Sequence, residues 1–260
     1  MCGFAGFVGE VENREQVLEN MIDTIIHRGP DSSGKFVDED AALGFRRLSI
    51  IDLSESGDQP LYNEDRSKVL VFNGEIYNYQ ELREELIQAG HTFVSNTDSE
   101  TLIHGYEQWG EELVYRLRGM YAFAIWDQKA KRLFSARDIF GIKPLYYAQM
   151  NGTLMFGSEI KSFLEHPKFD KVFNEDALGN YLSFQFVPTN ETFFKGVFCV
   201  QPGHYFVYEN GKMTIKRYFE PNFTGDTTKS FEEVVDDIEK VMKESVEMHK
   251  TVSYTHLTLP

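Results

Sequence analysis

The chain has few cysteines and no long apolar run. Cys2 and Cys199 are its only cysteines among 260 residues, too few for a disulfide framework or a metal site built from cysteines. No stretch of the sequence approaches the roughly 20 apolar residues of a membrane span, and no signal peptide is recognisable. These absences predict a cytoplasmic protein that does not associate with membranes.

Basic charge is also scarce. The 26 lysines and arginines stand against 41 aspartates and glutamates, which gives a net charge of -15 and an isoelectric point near 4.9. The phosphates of a nucleic acid or an anionic membrane would be repelled by this charge. The charge therefore argues against a nucleic acid or an anionic membrane as the partner, and a small polar substrate is more plausible. The length suits one large domain, or one domain plus a fragment of another.

The first nine residues, MCGFAGFVG, place a cysteine directly after Met1. Removal of Met1, which a small second residue permits, would leave Cys2 with both a thiol and a free α-amine. A cysteine thiol has a pKa of about 8.5 and an α-amine one of about 7.7 to 8.0, so the amine is suited to take the thiol proton. From these nine residues alone, a structural cysteine in a buried apolar strand is an equally good interpretation.

Hydrophobic periodicity predicts a chain that mixes strands and helices. Strands are predicted at 2–9, 34–37, 41–51, 68–72, 120–126, 132–136, 146–149 and 153–156, and a hairpin is predicted over 204–219. Helices are predicted at 13–26, 79–89, 111–117, 175–183 and 231–248. The sequence TDSE at 97–100 indicates a capping box in front of one more helix.

Two neighbouring arginines lie on one predicted strand. The side chains of Arg46 and Arg47 must point to opposite faces, because side chains alternate along a strand. Periodicity does not decide which of them is buried. The buried arginine needs a carboxylate partner, which either the protein or a ligand could supply.

Three further polar positions are open to two interpretations each. Asn73 and Gly74 lie between an apolar strand and a helical pattern, so they are not predicted to form a hairpin turn. The asparagine amide and the glycine N–H could donate to an oxyanion, although a loop of purely conformational origin is the commoner use of Asn-Gly. Asp98 falls in the first turn of a helix, where the dipole accounts for a carboxylate and a ligand ammonium would be an additional role.

Seven motifs in one order make the chain similar to the glutaminase half of the glutamine-dependent asparagine synthetases, which are class II glutamine amidotransferases with an N-terminal nucleophile. The motifs are MCGFAGFVG, HRGPD at 27–31, RRLSIIDLS at 46–54, QPLYN at 59–63, NGEIYN at 73–78, TDSE at 97–100 and RDIFGIKPLYY at 137–147. The RLSIID, NGEIYN and FGIKPLYY stretches resemble asparagine synthetases rather than the sugar-phosphate or phosphoribosyl amidotransferases. The resemblance covers Met1 to about Lys250.

The resemblance implies a fold and a site. The fold is α+β, a four-layer α/β/β/α sandwich with two antiparallel sheets. Cys2 would attack the side-chain carbonyl of glutamine, and Asn73 and Gly74 would form the oxyanion hole. The implied substrate-binding residues are Arg47 for the α-carboxylate, Asp98 and Glu75 for the α-ammonium, and the backbone of Leu48, Ser49, Ile50 and Ile51 for the pocket wall. No metal or cofactor is implied for this half.

The resemblance also implies how the chain divides. Residues 1–220 would form the glutaminase domain, 221–230 a linker, and 231–250 the first helix of a synthetase domain that uses ATP and Mg²⁺ to activate aspartate. The pyrophosphate-binding loop of that domain, of the Ser-Gly-Gly-x-Asp-Ser type, does not occur in the sequence. Residues 251–260 depart from the expected continuation and are predicted to be foreign.

We therefore expect this chain to hydrolyse glutamine without making asparagine. The expected partners are glutamine and the synthetase domain of the same polypeptide, a homodimer is compatible with the resemblance, and no nucleic acid or membrane is expected. Two alternatives are left open: the glutaminase domain of another class II amidotransferase, and a non-catalytic sandwich that binds a partner.

Overall fold

The computed structural model describes residues 2–48, 57–225 and 228–252. Within these ranges the strands are β1 (Gly3–Val8), β2 (Ser32–Val37), β3 (Ala41–Arg47), β4 (Leu61–Tyr62), β5 (Lys68–Ile76), β6 (Gly119–Asp127), β7 (Arg132–Arg137), β8 (Tyr146–Met150), β9 (Thr153–Gly157), β10 (Val197–Cys199), β11 (His204–Glu209) and β12 (Lys212–Arg217). The helices are α1 (Arg14–Asp23), α2 (Tyr79–Gln88), α3 (Asp98–Trp109), α4 (Glu175–Phe184) and α5 (Phe231–Val252), and 3-10 turns lie at Ile26–Arg28, Gly110–Tyr115 and Ile160–Glu165.

The strands form two six-stranded sheets. Sheet A has the spatial order β10-β8-β9-β1-β3-β2, and sheet B has the order β12-β11-β7-β6-β5-β4. Every pairing between these strands is antiparallel. The N-terminal strand β1 lies between β3 and β9, so the start of the chain is held in the interior of sheet A.

Three apolar cores define the layers. One core lies between the sheets and includes Phe4, Phe45, Val71, Trp126 and Phe206. A second core packs α1 on the outer face of sheet A, and a third packs α3 on the outer face of sheet B. Burial of each large apolar side chain stabilises the fold by about 1.5–3 kcal/mol. The predicted α/β/β/α sandwich with two antiparallel sheets is confirmed.

The two faces of β1 explain its nearly continuous apolar sequence. Phe4 and Val8 belong to the core between the sheets, whereas Ala5 and Phe7 belong to the core under α1. Because both faces of the strand are covered, neither can be polar. The predicted strand is confirmed.

The hairpin predicted over 204–219 is confirmed as β11 and β12, and Asn-Gly turns close both this hairpin and the one formed by β8 and β9. Asn151 and Gly152 join β8 to β9 with φ angles of 50° and 76°, and Asn210 and Gly211 join β11 to β12 with φ angles of 52° and 74°. Two successive positive φ angles are characteristic of a type I′ turn, which Asn-Gly adopts at low cost.

The capping box predicted at 97–100 is wrong. Thr97 is the N-cap of α3, but its side chain caps no backbone N–H. Glu100 instead accepts hydrogen bonds from the backbone N–H groups of Val94 and Ser95, each at 2.7 Å. The hydroxyl of Ser95 bonds to Thr97 Oγ1 at 2.8 Å, so a competing local network takes up both partners of the box.

Other boundaries differ from the prediction. Helix α1 ends at Asp23, three residues early, and a 3-10 turn at Ile26–Arg28 follows. The helix predicted at 111–117 is a 3-10 turn, and β5 runs on to Ile76 instead of ending at residue 72. The short strands β4 and β10 were not predicted, because two or three residues carry no recognisable alternation. The part of the third predicted strand from residue 49 lies outside the described residues.

The predicted amphipathic helix near the end of the chain is confirmed as α5. Phe231, Ile238 and Met242 are 58–78% exposed along it, and the rings of Tyr77 and His249 lie 4.1 Å apart. Among the residues that the structure describes, no helix combines the length and the apolar character needed to cross a bilayer.

Candidate active site

Cys2 lies at the N-terminal end of β1 and packs against the core between the sheets. Its Sγ is 3.4 Å from the backbone nitrogen of Leu48, which donates to it, and 3.6 Å from the carbonyl oxygen of Leu48. Register explains this contact, since Gly3 pairs with Arg46 across β1 and β3, which brings Cys2 beside the end of β3. The sulfur is therefore held where the two strands leave the core.

Arg28 anchors the backbone of Cys2. Its Nε donates to the carbonyl oxygen of Cys2 at 3.0 Å, and its Nη1 donates to Glu159 at 3.0 Å. A Cβ on Gly3 would lie 2.7 Å from the Arg28 side chain, so glycine at that position makes room for this arginine. The 3-10 turn after α1 thereby fixes the direction of the first residues.

His27 lies beside Arg28 in the same 3-10 turn. Its Nε2 lies 2.9 Å from Glu159 Oε1, and its side chain is half exposed. Glu159 therefore forms ion pairs with both His27 and Arg28. Of these three residues, Arg28 is the one with a described hydrogen bond to Cys2. These contacts give His27 a structural role.

Asn73 and Gly74 lie inside β5, not in a loop. Asn73 shares its strand face with Val69 and Val71, which belong to the core between the sheets, so its side chain points toward sheet A. It is 2% exposed, and within the described part of the chain its Nδ2 has no hydrogen-bond partner. A buried unpaired donor costs about 1–3 kcal/mol, and a ligand oxygen would offset that cost.

Gly74 is required by close backbone packing. A Cβ at this position would lie 2.2 Å from the carbonyl oxygen of Met120 and 2.7 Å from Cα of Tyr121. A larger residue would push β5 away from β6. Glycine therefore keeps the strand straight at the point where the Asn73 amide enters the core.

The structure separates the two arginines of β3. Arg46 lies on the face toward α1, where it bonds to Asp23 and to the carbonyl oxygen of Ile22. Arg47 lies on the face of Phe45, between the sheets, and its side chain is 9% exposed. Its Nη1 is 2.7 Å from Asp58 Oδ1, and Asp58 is 45% exposed.

Glu75 and Asp98 are two partly buried acidic residues near the end of β5. Asp98 is the first residue of α3, and its Oδ2 accepts the backbone N–H of Ile76 at 2.9 Å. Burial raises the pKa of Asp98 to about 6. Burial, and then the charge of Asp98, raise the pKa of Glu75 to about 8. Both carboxyl groups would gain from a cation placed beside them.

Lys143 is a site residue that the sequence did not reveal. It is 5% exposed, burial lowers its pKa, and the charges of Glu75, Arg28, Asp138 and Cys2 all act on it. The loop that carries it is folded by Asp138, whose carboxylate accepts backbone N–H groups of Tyr121, Phe140, Ile142 and Lys143. A lone lysine inside the apolar motif FGIKPLYY was the available signal.

The structure thus places seven of the ten predicted site residues, and it places them at neighbouring ends of β1, β3, β5 and α3. Strands β1 and β3 both contact β5 across the sandwich, which brings together the faces that carry Cys2, Arg47 and Asn73. Ser49, Ile50 and Ile51 lie outside the described residues. A cluster that could hold a metal ion lies elsewhere, at Glu64, His91, His104 and Glu107.

This sandwich, with a cysteine at the start of β1 and a buried asparagine amide on the face of β5 that looks toward sheet A, is characteristic of the amidotransferases that take ammonia from glutamine. The chain matches the glutamine amidotransferase domain family over residues 1–219 and belongs to that family. It is similar to glutamine-hydrolysing asparagine synthetase 1 of Bacillus subtilis, with 44% identity over 255 residues that cover 96% of this chain and 40% of that protein.

Two further comparisons agree. A putative glutamine-hydrolysing asparagine synthetase of Mycobacterium tuberculosis is 39% identical over 281 residues, which cover 98% of this chain and 43% of that protein. The solved glutamine phosphoribosylpyrophosphate amidotransferase of Bacillus subtilis has a TM-score of 0.63 at 21% identity, covering 85% of this chain and 50% of that one. At 21% identity, the likeness to the phosphoribosylpyrophosphate amidotransferase shows a shared fold. The chain spans about 40% of the length of the curated relatives it matches.

Proposed function

We propose that this chain hydrolyses the side-chain amide of glutamine with Cys2 as the nucleophile. The observation that carries the proposal is the buried Asn73 amide, whose Nδ2 has no hydrogen-bond partner among the described residues and lies on the face of β5 that looks toward the sheet carrying Cys2. An unpaired donor at this depth is suited to an oxygen that becomes negative only during reaction.

The proposed chemistry begins once Met1 has been removed. The α-amine of Cys2 takes the thiol proton, and the thiolate attacks the side-chain carbonyl carbon of glutamine. The Nδ2 of Asn73 and the N–H of Gly74 stabilise the oxyanion of the tetrahedral intermediate. Ammonia leaves with the proton returned by the amine, and water then cleaves the thioester to release glutamate.

Recognition of the substrate backbone would use the charges around the cysteine. Arg47 binds the α-carboxylate in place of Asp58, which can turn to solvent because it is half exposed. Asp98 and Glu75 bind the α-ammonium, which favours their ionised forms. The backbone of Leu48, which lies against Sγ of Cys2, lines the same pocket. Charge at both ends of the substrate would thus orient its amide toward the sulfur.

The fate of the ammonia is the second part of the proposal. The curated relatives are named asparagine synthetases, and we place residues 1–220 in the glutaminase domain, 221–230 in a linker, and 231–250 in the first helix of an ATP- and Mg²⁺-dependent synthetase domain. We assign residues 251–260 to a tail that is foreign to the synthetase domain. A cytoplasmic location and a homodimer also belong to this proposal.

The test is an assay of the purified chain with glutamine, in the presence and absence of aspartate and ATP. We expect glutamate and ammonia in equal amounts under both conditions, and no asparagine. Absence of glutamate formation by a chain whose mass shows loss of Met1 would overturn the glutaminase assignment. Formation of asparagine by the 260 residues would overturn the assignment of synthesis to a further domain.

A further inference from the structure

Two histidines and two glutamates meet on the outer side of sheet B, away from Cys2. Glu64 follows β4, His91 follows α2, and His104 and Glu107 lie one turn apart on α3. One nitrogen or oxygen atom from each of the four lies within 4.8 Å of those of the other three. We name these four residues the His–Glu cluster.

The imidazoles and carboxylates of this cluster converge on one point. Nδ1 of His104 lies 3.3 Å from Glu107 Oε2 and 3.7 Å from Glu64 Oε1, and Nδ1 of His91 lies 4.0 Å from Glu107 Oε2. Ligands of a tetrahedral Zn²⁺, at bond lengths of about 2.0–2.2 Å, lie roughly 3.3–3.6 Å apart. The separations that start from His104 Nδ1 already match this spacing to within about 0.1 Å, whereas the longest separations in the cluster, up to 4.8 Å, would have to shorten by about 1.2–1.5 Å on metal binding.

The second nitrogen of each imidazole faces an acceptor. His104 Nε2 lies 3.6 Å from Glu100 Oε1, and His91 Nε2 lies 3.1 Å from Gln108 Oε1. Glu100 is itself fixed by hydrogen bonds from the backbone N–H groups of Val94 and Ser95. Metal-binding histidines usually donate their other N–H to such an acceptor, which sets the tautomer that leaves the first nitrogen free for the metal.

Glu107 is oriented in the same manner. Asn63 Nδ2 donates to its Oε1 at 2.8 Å, which turns Oε2 toward the two histidines. Lys68 Nζ lies 3.7 Å from the same Oε1 and 3.7 Å from Asp127 Oδ2. Lys68 therefore divides its charge between Glu107 and Asp127. It contacts Oε1 of Glu107, and Oε2 is the oxygen that lies near His104 Nδ1.

We propose that Glu64, His91, His104 and Glu107 bind one Zn²⁺ ion in a four-coordinate structural site. Nitrogen and carboxylate oxygen are ordinary zinc ligands, and four protein ligands leave no position for substrate. The ion would tie the turn after β4 and the loop after α2 to the middle of α3. Asp98 lies six residues, or about 9 Å, before His104 on the same helix, so the site would stiffen the helix that carries it.

A proton competes with the metal ion for this position. Burial lowers the pKa of His104, but hydrogen bonds to Glu100 and Glu107 outweigh it and raise that pKa to about 9. Metal binding must therefore displace a proton. The alternative to a zinc site is a protonated His104 that is held by carboxylates and has no affinity for metal. A metal titration distinguishes these two descriptions.

The experiment is a Zn²⁺ titration of the full chain carrying Cys2→Ala, against a chromophoric competing chelator. This background removes the only thiol that carries an α-amine after Met1 is lost. We expect one Zn²⁺ per chain, and a Tm raised by about 5–10 °C at a free concentration 100-fold above Kd. His91→Ala and Glu107→Gln should each weaken binding at least about 100-fold, whereas His204→Ala, outside the cluster, should leave it unchanged.

Co²⁺ provides a second readout. Bound in place of Zn²⁺, it should give the visible absorption of a tetrahedral site without a thiolate charge-transfer band, and Glu107→Gln should abolish that absorption. Failure of the chain to bind Zn²⁺ more tightly than the double variant His91→Ala/Glu107→Gln would overturn the proposal in favour of the histidinium network. The outcome does not depend on glutaminase activity.

Discussion

The backbone nitrogen of Leu48 lies 3.4 Å from Sγ of Cys2, and the carbonyl oxygen of the same residue lies 3.6 Å from it. The sulfur therefore sits against the backbone at the end of β3, one residue beyond Arg47. In the proposed reaction, the end of β3 therefore connects the sulfur that attacks with the arginine that binds the α-carboxylate. This relationship motivates the first prediction.

Arg47→Ala should raise KM for glutamine about 10- to 100-fold, because a hydrogen-bonded contact with a charged group is worth about 1.5–3 kcal/mol. Arg46→Ala is the matched control, since the Arg46 side chain faces α1 and bonds to Asp23. Steady-state kinetics of both variants check this. Similar KM values for the two variants would show that the α-carboxylate does not bind between the sheets.

Asn73→Ala should lower kcat about 10²- to 10³-fold, the usual effect of removing one oxyanion donor. KM should change little, since the proposed hydrogen bond strengthens as charge develops. The Tm should not fall by the amount expected for loss of a hydrogen bond, because the buried Nδ2 has no described partner. Asn222→Ala, on the exposed linker, is the control, and an unchanged kcat in Asn73→Ala would exclude the oxyanion role.

Glu75 should make the free protein less stable as the pH rises. Burial, and then the charge of Asp98, raise its pKa to about 8 from 4.5, so the folded state holds the proton more tightly than the unfolded chain does. Its contribution to stability is complete below pH 4.5 and is lost as the pH rises toward 8. Glu75→Gln should remove this loss and be more stable than the parent above pH 8, by up to a few kcal/mol, since one pKa unit corresponds to about 1.4 kcal/mol.

Denaturant unfolding at a series of pH values measures this difference. Glu84→Gln, on the exposed face of α2, is the control and should follow the parent at every pH. A difference between Glu75→Gln and the parent that stays constant from pH 4.5 to 8.5 would mean that Glu75 ionises normally.

The sequence predicted most strands and turns because their signals are local, whereas the four-layer sandwich was implied by the family resemblance. A strand with both faces buried, as β1 is, must be apolar throughout, and Asn151 and Asn210 adopt the turn that their following glycines allow. The choice between Arg46 and Arg47 was not local, because alternation places one on each face without saying which face the second sheet covers. The packing of sheet B against one face of β3 decides it, since Phe45, on the same face as Arg47, lies in the core between the sheets, whereas Arg46 bonds to α1 on the other face.

The misses have the same origin. TDSE has the pattern of a capping box, but the hydroxyl of Ser95, just outside the motif, hydrogen-bonds to both Thr97 and Glu100. Lys143 is in sequence an ordinary lysine after an isoleucine, and it is buried only because Asp138 accepts four backbone N–H groups and so folds the loop that carries it. Contacts that join separate segments of the chain are not visible in the periodicity of any one segment.

The central claim is that Cys2 attacks glutamine, and the most direct measurement is the rate of glutamate release by Cys2→Ala beside that of Cys199→Ala, with intact mass confirming loss of Met1. The account predicts that Cys2→Ala releases no glutamate above background, while Cys199→Ala, whose thiol contacts Arg137, retains the parent rate. Glutamate release by Cys2→Ala at the parent rate would contradict it.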